Sequence, residues 1–351
     1  MPLTPAGGSG LRHDSVVRMS AAGQRPGPRS VIRPLSEGPD AVAGRVRSPW
    51  SHWGGLRMIL VTGATGVVGG EVARTLAAAG PVRVFCRDPA RLPVLAPGCE
   101  VAVGSYQDHG SLLRALAGVD RAFLVTRDPG GDSDARFLRA AEAAGVRHVV
   151  KLSAYAAGED GADDLITRWQ RDCEDLVRSC GLEWTLLRPR AFMSNTLAWA
   201  GSIRSEGVVH ALHPEAPSAC VDPRDIAEVA VAALTSPGHA GRVHALTGPE
   251  AISAVGQTRE LSRVLGRPLV CRALTAEQAA VRWSRRHPPH VVEALLRGAE
   301  RQSRGGKATV DPSVTRLTGR AARSYARWAA DHREAFGPVP ATAVLSAAAR
   351  V

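Results

Sequence analysis

The segment Val61-Thr62-Gly63-Ala64-Thr65-Gly66-Val67-Val68-Gly69 constrains this chain more than any other. A short apolar run, Met58–Thr62, leads into the glycines, and a helical pattern, Val67–Ala79, comes immediately after them. The spacing is GxxGxxG, one residue longer at the first gap than the dinucleotide fingerprint GxGxxG. The physical demand is the same. A tight turn out of a strand lets backbone N–H groups approach a diphosphate, which rests at the positive end of the next helix. Gly69 removes a side chain where that helix must pack on the strand. Plain turns also produce glycine triplets, but a strand before and a helix after is the context that a nucleotide loop requires. Gly63, Ala64, Thr65, Gly66, Val67, Val68 and Gly69 are therefore expected to bind a cofactor.

The pattern beyond the loop sets the fold class. Short apolar runs recur at Val82–Cys86, Glu100–Val103, Ala122–Val125 and His148–Ser153. Helical segments near Ser111–Leu116 and Ser133–Ala144 separate the last three, with Gly118 and Gly145 where helix C-caps belong. A long helix over Asp164–Ser179 precedes a sixth strand, Glu183–Arg188, broken by Pro189. Such alternation predicts an α/β fold, a Rossmann-type doubly wound parallel sheet over residues 58–190. Residues 191–340 are expected to form a mixed lobe, a small α/β C-terminal lid with some elements returning to the core. There Asp222–Thr235, Ser253–Leu265, Thr275–Arg285, Val291–Arg301 and Arg320–Ala335 read as helices and Arg242–Leu246 as a strand. Residues 1–57, broken by Pro and Gly, read as a disordered extension, and 341–351 as a disordered tail. Met58 directly precedes the first strand, so a start at that residue stands beside a functional tail.

The net charge of +11 belongs to the ends of the chain. Residues 1–57 carry +5, residues 58–271 carry −2 and residues 272–351 carry +8. Neither aromatic interleaving nor a helix-turn-helix pattern accompanies the basic ends, so direct nucleic-acid binding is not expected. The arginines of the last helices (Arg282, Arg285, Arg286, Arg297, Arg301, Arg304) read as a solvated face or a partner surface. Six scattered cysteines form no CxxC pair, and no apolar run approaches the length of a membrane span. A reduced, cytoplasmic protein is expected. His287-Pro288-Pro289-His290 lacks acidic or cysteine partners nearby, so no metal site is expected.

Cofactor choice turns on the end of the second strand. An NAD site usually has an acid there for the ribose 2′-hydroxyl. Here Arg87 comes after Cys86, a side chain suited to a 2′-phosphate, and Asp88-Pro89 starts a turn. NADP(H) is expected in preference to NAD(H). A typical short-chain dehydrogenase also carries Tyr-x-x-x-Lys, whose ammonium lowers the phenol's pKa for proton exchange. Four residues beyond Tyr106, Tyr155 and Tyr325 stand Gly110, Glu159 and Ala329, so the pair is missing.

The chain resembles the NmrA-like, atypical short-chain dehydrogenase group, which includes quinone reductases, triphenylmethane reductase-like enzymes and NADP-sensing regulators. The resemblance is carried by the Gly63–Gly69 loop, Arg87-Asp88-Pro89, Phe123-Leu124-Val125-Thr126 and Lys151-Leu152-Ser153-Ala154. It continues through Trp184–Pro189, Phe192-Met193-Ser194-Asn195, Val221–Ala227 and Leu246–Glu250, in family order over about residues 58–336. It implies that the loop holds the diphosphate and that Arg87 meets the 2′-phosphate. It also places Thr126 and Ser153 near the ribose and nicotinamide, and Phe192, Met193 and Asn195 on the substrate side. One departure is Gly104-Ser105-Tyr106 in place of the usual Gly-Asp-Leu, which leaves Tyr106 as a candidate to stack on adenine.

Two readings stand for most of the remaining candidates. Lys151 either serves catalysis beside the nicotinamide or covers apolar surface with its stem while its ammonium reaches solvent. Trp169 either stacks on a planar substrate or belongs to the core. Phe192 and Met193 either line a pocket or pack, and Asn195 either bonds a carbonyl or caps a helix. The expected activity is NADPH-dependent hydride transfer to a conjugated small molecule such as a quinone, imine, azo group or enone. The alternative is a non-catalytic NADP(H) sensor of NmrA type that signals through a protein partner.

Overall fold

In a computed structural model the described residues are 58–95 and 98–337. The expectations for residues 1–57 and 341–351 lie outside them. The chain runs β1 (Ile59–Thr62), α1 (Val67–Ala77), β2 (Val82–Cys86), β3 (Glu100–Val103), α2 (His109–Leu116), β4 (Arg121–Leu124), α3 (Ser133–Ala143), β5 (His148–Leu152), α4 (Leu165–Ser179) and β6 (Glu183–Pro189). It continues through α5 (Ala200–Glu206), β7 (Val208–Leu212), α6 (Pro223–Thr235), β8 (Arg242–Leu246), α7 (Ala254–Leu265), β9 (Val270–Leu274), α8 (Ala276–Ser284), α9 (Pro289–Ser303), α10 (Ser313–Thr318), α11 (Tyr325–Asp331) and α12 (Arg333–Phe336).

Seven strands form one parallel sheet in the order β3-β2-β1-β4-β5-β6-β8. This is the Rossmann-type sheet that the alternation predicts. Because side chains alternate along a strand, β1 feeds both faces. Ile59 and Val61 join the apolar cluster under α1 and α6, while Leu60 joins the opposite cluster with Leu112, Leu116, Phe137 and Val177. Both faces are thus covered, as a parallel sheet requires. Gly118 and Gly145 have φ of +72° and +75°, the left-handed turns expected after α2 and α3.

The strand order reverses between β1 and β4, where ligands bind in open α/β sheets. Thr62 stitches these strands together beneath the crevice. Its hydroxyl donates to the Phe123 carbonyl at 3.1 Å and accepts from the Val125 amide at 2.8 Å.

The stretch from Met193 to Phe336 carries a separate apolar cluster, with Met193, Ile203, Val209, Leu261, Tyr325, Trp328 and Phe336 all buried. It contains a parallel pair, β7 with β9, that sequence patterning did not reveal. β7 (VVHAL) and β9 (VCRAL) are short apolar runs, but no regular strand–helix alternation marks them as partners. The expected single helix over Arg320–Ala335 is corrected to an extended run and then α11 and α12. Asp225 on α6 is fully buried and accepts Arg320 Nη2 at 2.7 Å and the Arg323 amide at 2.8 Å. Those bonds tie the 320–323 backbone and side chains to α6, and the new helix starts only at its Ser324 cap.

Candidate active site

The phosphate loop has the shape its glycines dictate. Gly63 adopts φ +67°, in the region that favours glycine. A Cβ on Gly69 would lie 2.3 Å from the Gly63 carbonyl oxygen, so α1 approaches the loop at a distance only glycine permits. Ala64 and Val68 are buried anchors, whereas Thr65, Gly66 and Val67 face solvent. The N-cap residue Gly66 offers no side chain, and the first turn of the eleven-residue α1 holds no acid. Uncapped amides at the positive end of a helix are a donor set that fits a diphosphate. Arg87 is exposed just past β2.

Tyr106 is not available to stack on adenine. Its ring meets Phe85 and Phe137 edge-on, with centroids 5.8 and 6.3 Å away, and its hydroxyl donates to the Val125 carbonyl at 2.9 Å.

The structure excludes one of the two readings of Lys151. It is 0% exposed, so its ammonium does not reach solvent. Its Nζ lies 3.0 Å from Asp134 Oδ1 on α3 and donates to Thr126 Oγ1 at 3.0 Å. Thr126 Oγ1 in turn donates to Asp134 Oδ2 at 2.6 Å. The lysine and carboxylate cancel one another inside the protein, since an unpaired buried charge is costly. Lys151, Asp134 and Thr126 are thereby joined in one buried network at the carboxyl ends of β4 and β5.

Trp169 is corrected from pocket to interior: it is buried on α4 with Lys151 Nζ 5.7 Å from its ring. Met193 is corrected likewise, being 1% exposed within the separate apolar cluster. Phe192 and Asn195 line a cleft.

That cleft, of about 320 Å³, opens at the carboxyl ends of the adjacent strands β5 and β6. Ser153 stands one residue past β5 and Arg190 one past β6. The turn after β5 supplies Tyr155, the start of α4 supplies Asp164, and α9 with Lys307 closes the far wall. A larger hollow of about 630 Å³ is lined by α7 and the 266–271 segment, none of it at the carboxyl edge of the main sheet.

Ser153 Oγ donates to Glu174 Oε1 at 2.6 Å. Burial alone pushes the Glu174 carboxyl up, but hydrogen bonds from Arg188, Ser153 and Arg178 outweigh it and hold it below the usual carboxylate range. Ser153 is thus fixed in orientation by a charged partner on α4.

Arg190, Arg301 and Lys307 escaped sequence reasoning as site residues. Arg301 belongs to a helix that reads as a solvated face, yet its Nη2 lies 2.7 Å from Asp164 Oδ2 in the cleft wall. No local pattern joins residue 307 to the end of β5. The available hint was scarcity, since Lys151 and Lys307 are the chain's two lysines. Among the described residues no group of three or more His, Cys, Asp or Glu is arranged to hold a metal, and no helix is long and apolar enough to cross a membrane.

A parallel sheet with a bare glycine loop at its switch point and a small cleft beside it defines a dinucleotide-binding protein. Comparison with known proteins agrees. Residues 63–237 match the NAD(P)H-binding family. The chain is 58% identical over 281 residues to a (4-alkanoyl-5-oxo-2,5-dihydrofuran-3-yl)methyl phosphate reductase of Streptomyces griseus subsp. griseus, covering 80% of this chain and 100% of that protein. It is 36% identical over 285 residues to an NAD(P)H azoreductase of Xenophilus azovorans, covering 80% and 99%. The solved NADPH complex of quinone oxidoreductase QOR2 from Escherichia coli superimposes with a TM-score of 0.69 at 26% identity, covering 78% and 99%. The chain belongs to the NAD(P)H-binding, NmrA-like family of atypical short-chain reductases.

Proposed function

We propose that this oxidoreductase uses NADPH to reduce the ring double bond of a butenolide bearing an acyl group and a phosphomethyl group. The observation that carries this reading is the 58% identity with the Streptomyces griseus reductase over that protein's whole length. The nicotinamide, when bound, supplies the hydride.

The chain's own residues then have defined tasks. The amides of Gly63–Gly69 hold the diphosphate, and Arg87 pairs with the 2′-phosphate and selects NADPH. The Lys151–Asp134 pair fixes Thr126, and Glu174 fixes Ser153, at neighbouring strand ends beside the nicotinamide. Phe192 and Asn195 line the substrate's side of the cleft.

The substrate's chemistry accounts for the absent Tyr-x-x-x-Lys pair. Hydride adds to the ring carbon carrying the phosphomethyl group. The double-bond electrons move to the neighbouring ring carbon and spread over both the lactone and the acyl carbonyl. A carbanion shared by two carbonyls is weakly basic, and a solvent proton on that carbon completes the reduction. The protein then has to position the reactants more than move protons. Six free thiols fit a reducing, cytoplasmic setting.

The test is purified chain with NADPH and a synthetic (4-alkanoyl-5-oxo-2,5-dihydrofuran-3-yl)methyl phosphate. Loss of reduced-nicotinamide absorbance with a product two hydrogens heavier is expected. Tight NADPH binding without turnover of this compound, quinones or azo dyes would instead favour the sensor.

A further inference from the structure

Three cations line the cleft, and their neighbours leave donor capacity unused. The Arg190 side chain is 3% exposed, and its Nη1 donates to Glu159 Oε1 at 2.6 Å. Its guanidinium lies 3.5 Å over the Tyr155 ring centroid, which fixes its plane. Its Nε is buried without a hydrogen-bond partner. Arg301 repeats the arrangement from α9: one nitrogen is held by Asp164, and Nε is buried without a partner. Among the described residues, Lys307 Nζ has neither a hydrogen-bond nor an ion-pair partner. A Cβ built on Gly298 would lie 3.5 Å from Lys307 Nζ and 3.9 Å from Arg301 Nη2, so both cations border the same bare stretch of α9. The chain's backbone holds Lys307 in place, its carbonyl accepting from the Ala219 amide at 2.9 Å.

Glu159 and Asp164 orient the two arginines without exhausting them. What remains is a third cation together with Arg190 Nη2 and Arg301 Nη1, which neither carboxylate takes up, on residues that all line the cleft. The complement is a compact dianion with several acceptor oxygens, which describes a phosphate monoester.

We propose that Arg190, Arg301 and Lys307 form a phosphate subsite that seats the phosphomethyl group of the substrate. This inference rests on the butenolide phosphate being the substrate. Its consequence is positional. The phosphorus is three bonds from the carbon that receives the hydride, so anchoring one end leaves the reacting carbon little freedom in the cleft. The subsite is distinct from the loop at α1, which serves the cofactor's diphosphate.

Two measurements test it with the full chain saturated with NADP+, so that the loop and Arg87 are already filled. In calorimetry with inorganic phosphate, the wild type is expected to bind one anion, Lys307→Met to weaken it about tenfold or more, and Lys307→Arg to restore it. In kinetics, Lys307→Met and Arg301→Gln are expected to cut the preference for the phosphorylated butenolide over its free alcohol by about ten- to hundredfold, mainly through KM. A wild type that binds no phosphate under these conditions, or a substrate preference untouched by both variants, overturns the subsite. Phosphate binding that depends on Lys307 in a protein that reduces neither butenolide upholds the subsite and defeats the substrate reading instead.

Discussion

The glycine loop before α1 and the cleft beyond β5 and β6 lie at the same edge of the sheet and are built in opposite ways. The loop is consecutive chain, Thr62 to Gly69, and works through backbone amides whose placement depends on the lack of side chains. The cleft is assembled from the ends of β5 and β6, the start of α4, α9 and Lys307, and works through charged side chains. A loop of the first kind tolerates no side chain at Gly63 or Gly69. A cleft of the second kind can change its ligand by exchanging one arginine or lysine while the fold stays intact.

The sharpest way to break this contrast is at Gly69. Gly69→Asp puts a side chain onto the Gly63 carbonyl and a negative charge at the phosphate site, and calorimetry should detect no NADPH binding. Retained affinity would show that the loop tolerates side chains after all.

Next in size is the buried pair at the strand ends. Lys151→Met leaves Asp134 charged and unpaired at 3% exposure, and urea unfolding should record a loss of about 3 kcal/mol. Adding Asp134→Leu should recover most of that stability. A single variant that unfolds like the wild type yet loses turnover would return Lys151 to direct catalysis.

Arg87→Glu should weaken NADPH by about ten- to thirtyfold while changing NADH far less, since one charge-assisted contact is lost. Equal weakening of both would remove Arg87 from the 2′-phosphate.

The mildest effect comes from pH. Burial, with Arg301 and Arg190 nearby, lowers the Lys307 ammonium to about 8, against the opposing pull of Glu159 and Asp164. A lowered value for a base means that the charge is present below about 8 and lost above it. For the phosphorylated butenolide, kcat/KM should therefore fall by about fivefold between roughly pH 7 and pH 9. The free alcohol should lack that limb.

The two lysines show why sequence reading stopped where it did. Lys151 was visible because it sits in an apolar strand next to Ser153, but its partner Asp134 lies on α3, and strand patterning does not say which helix residue will face it. Lys307 sits outside any regular pattern, and its meaning depends on Arg190 and Arg301 arriving from other parts of the chain. Trp169 and Met193 were misplaced for the same reason: an aromatic or sulfur side chain next to a motif can turn either way, and only the packed neighbours settle which.

By itself the sequence determined the alternation of strands and helices over residues 58–190 and the position of the glycine loop. Periodicity and glycine geometry are local properties, fixed within a few residues of chain. Tertiary structure decided which charges are neutralised inside the protein and which are left facing the cleft. Those outcomes depend on distances between segments far apart in sequence, where desolvation and pairing decide whether a side chain props up the fold or meets the ligand.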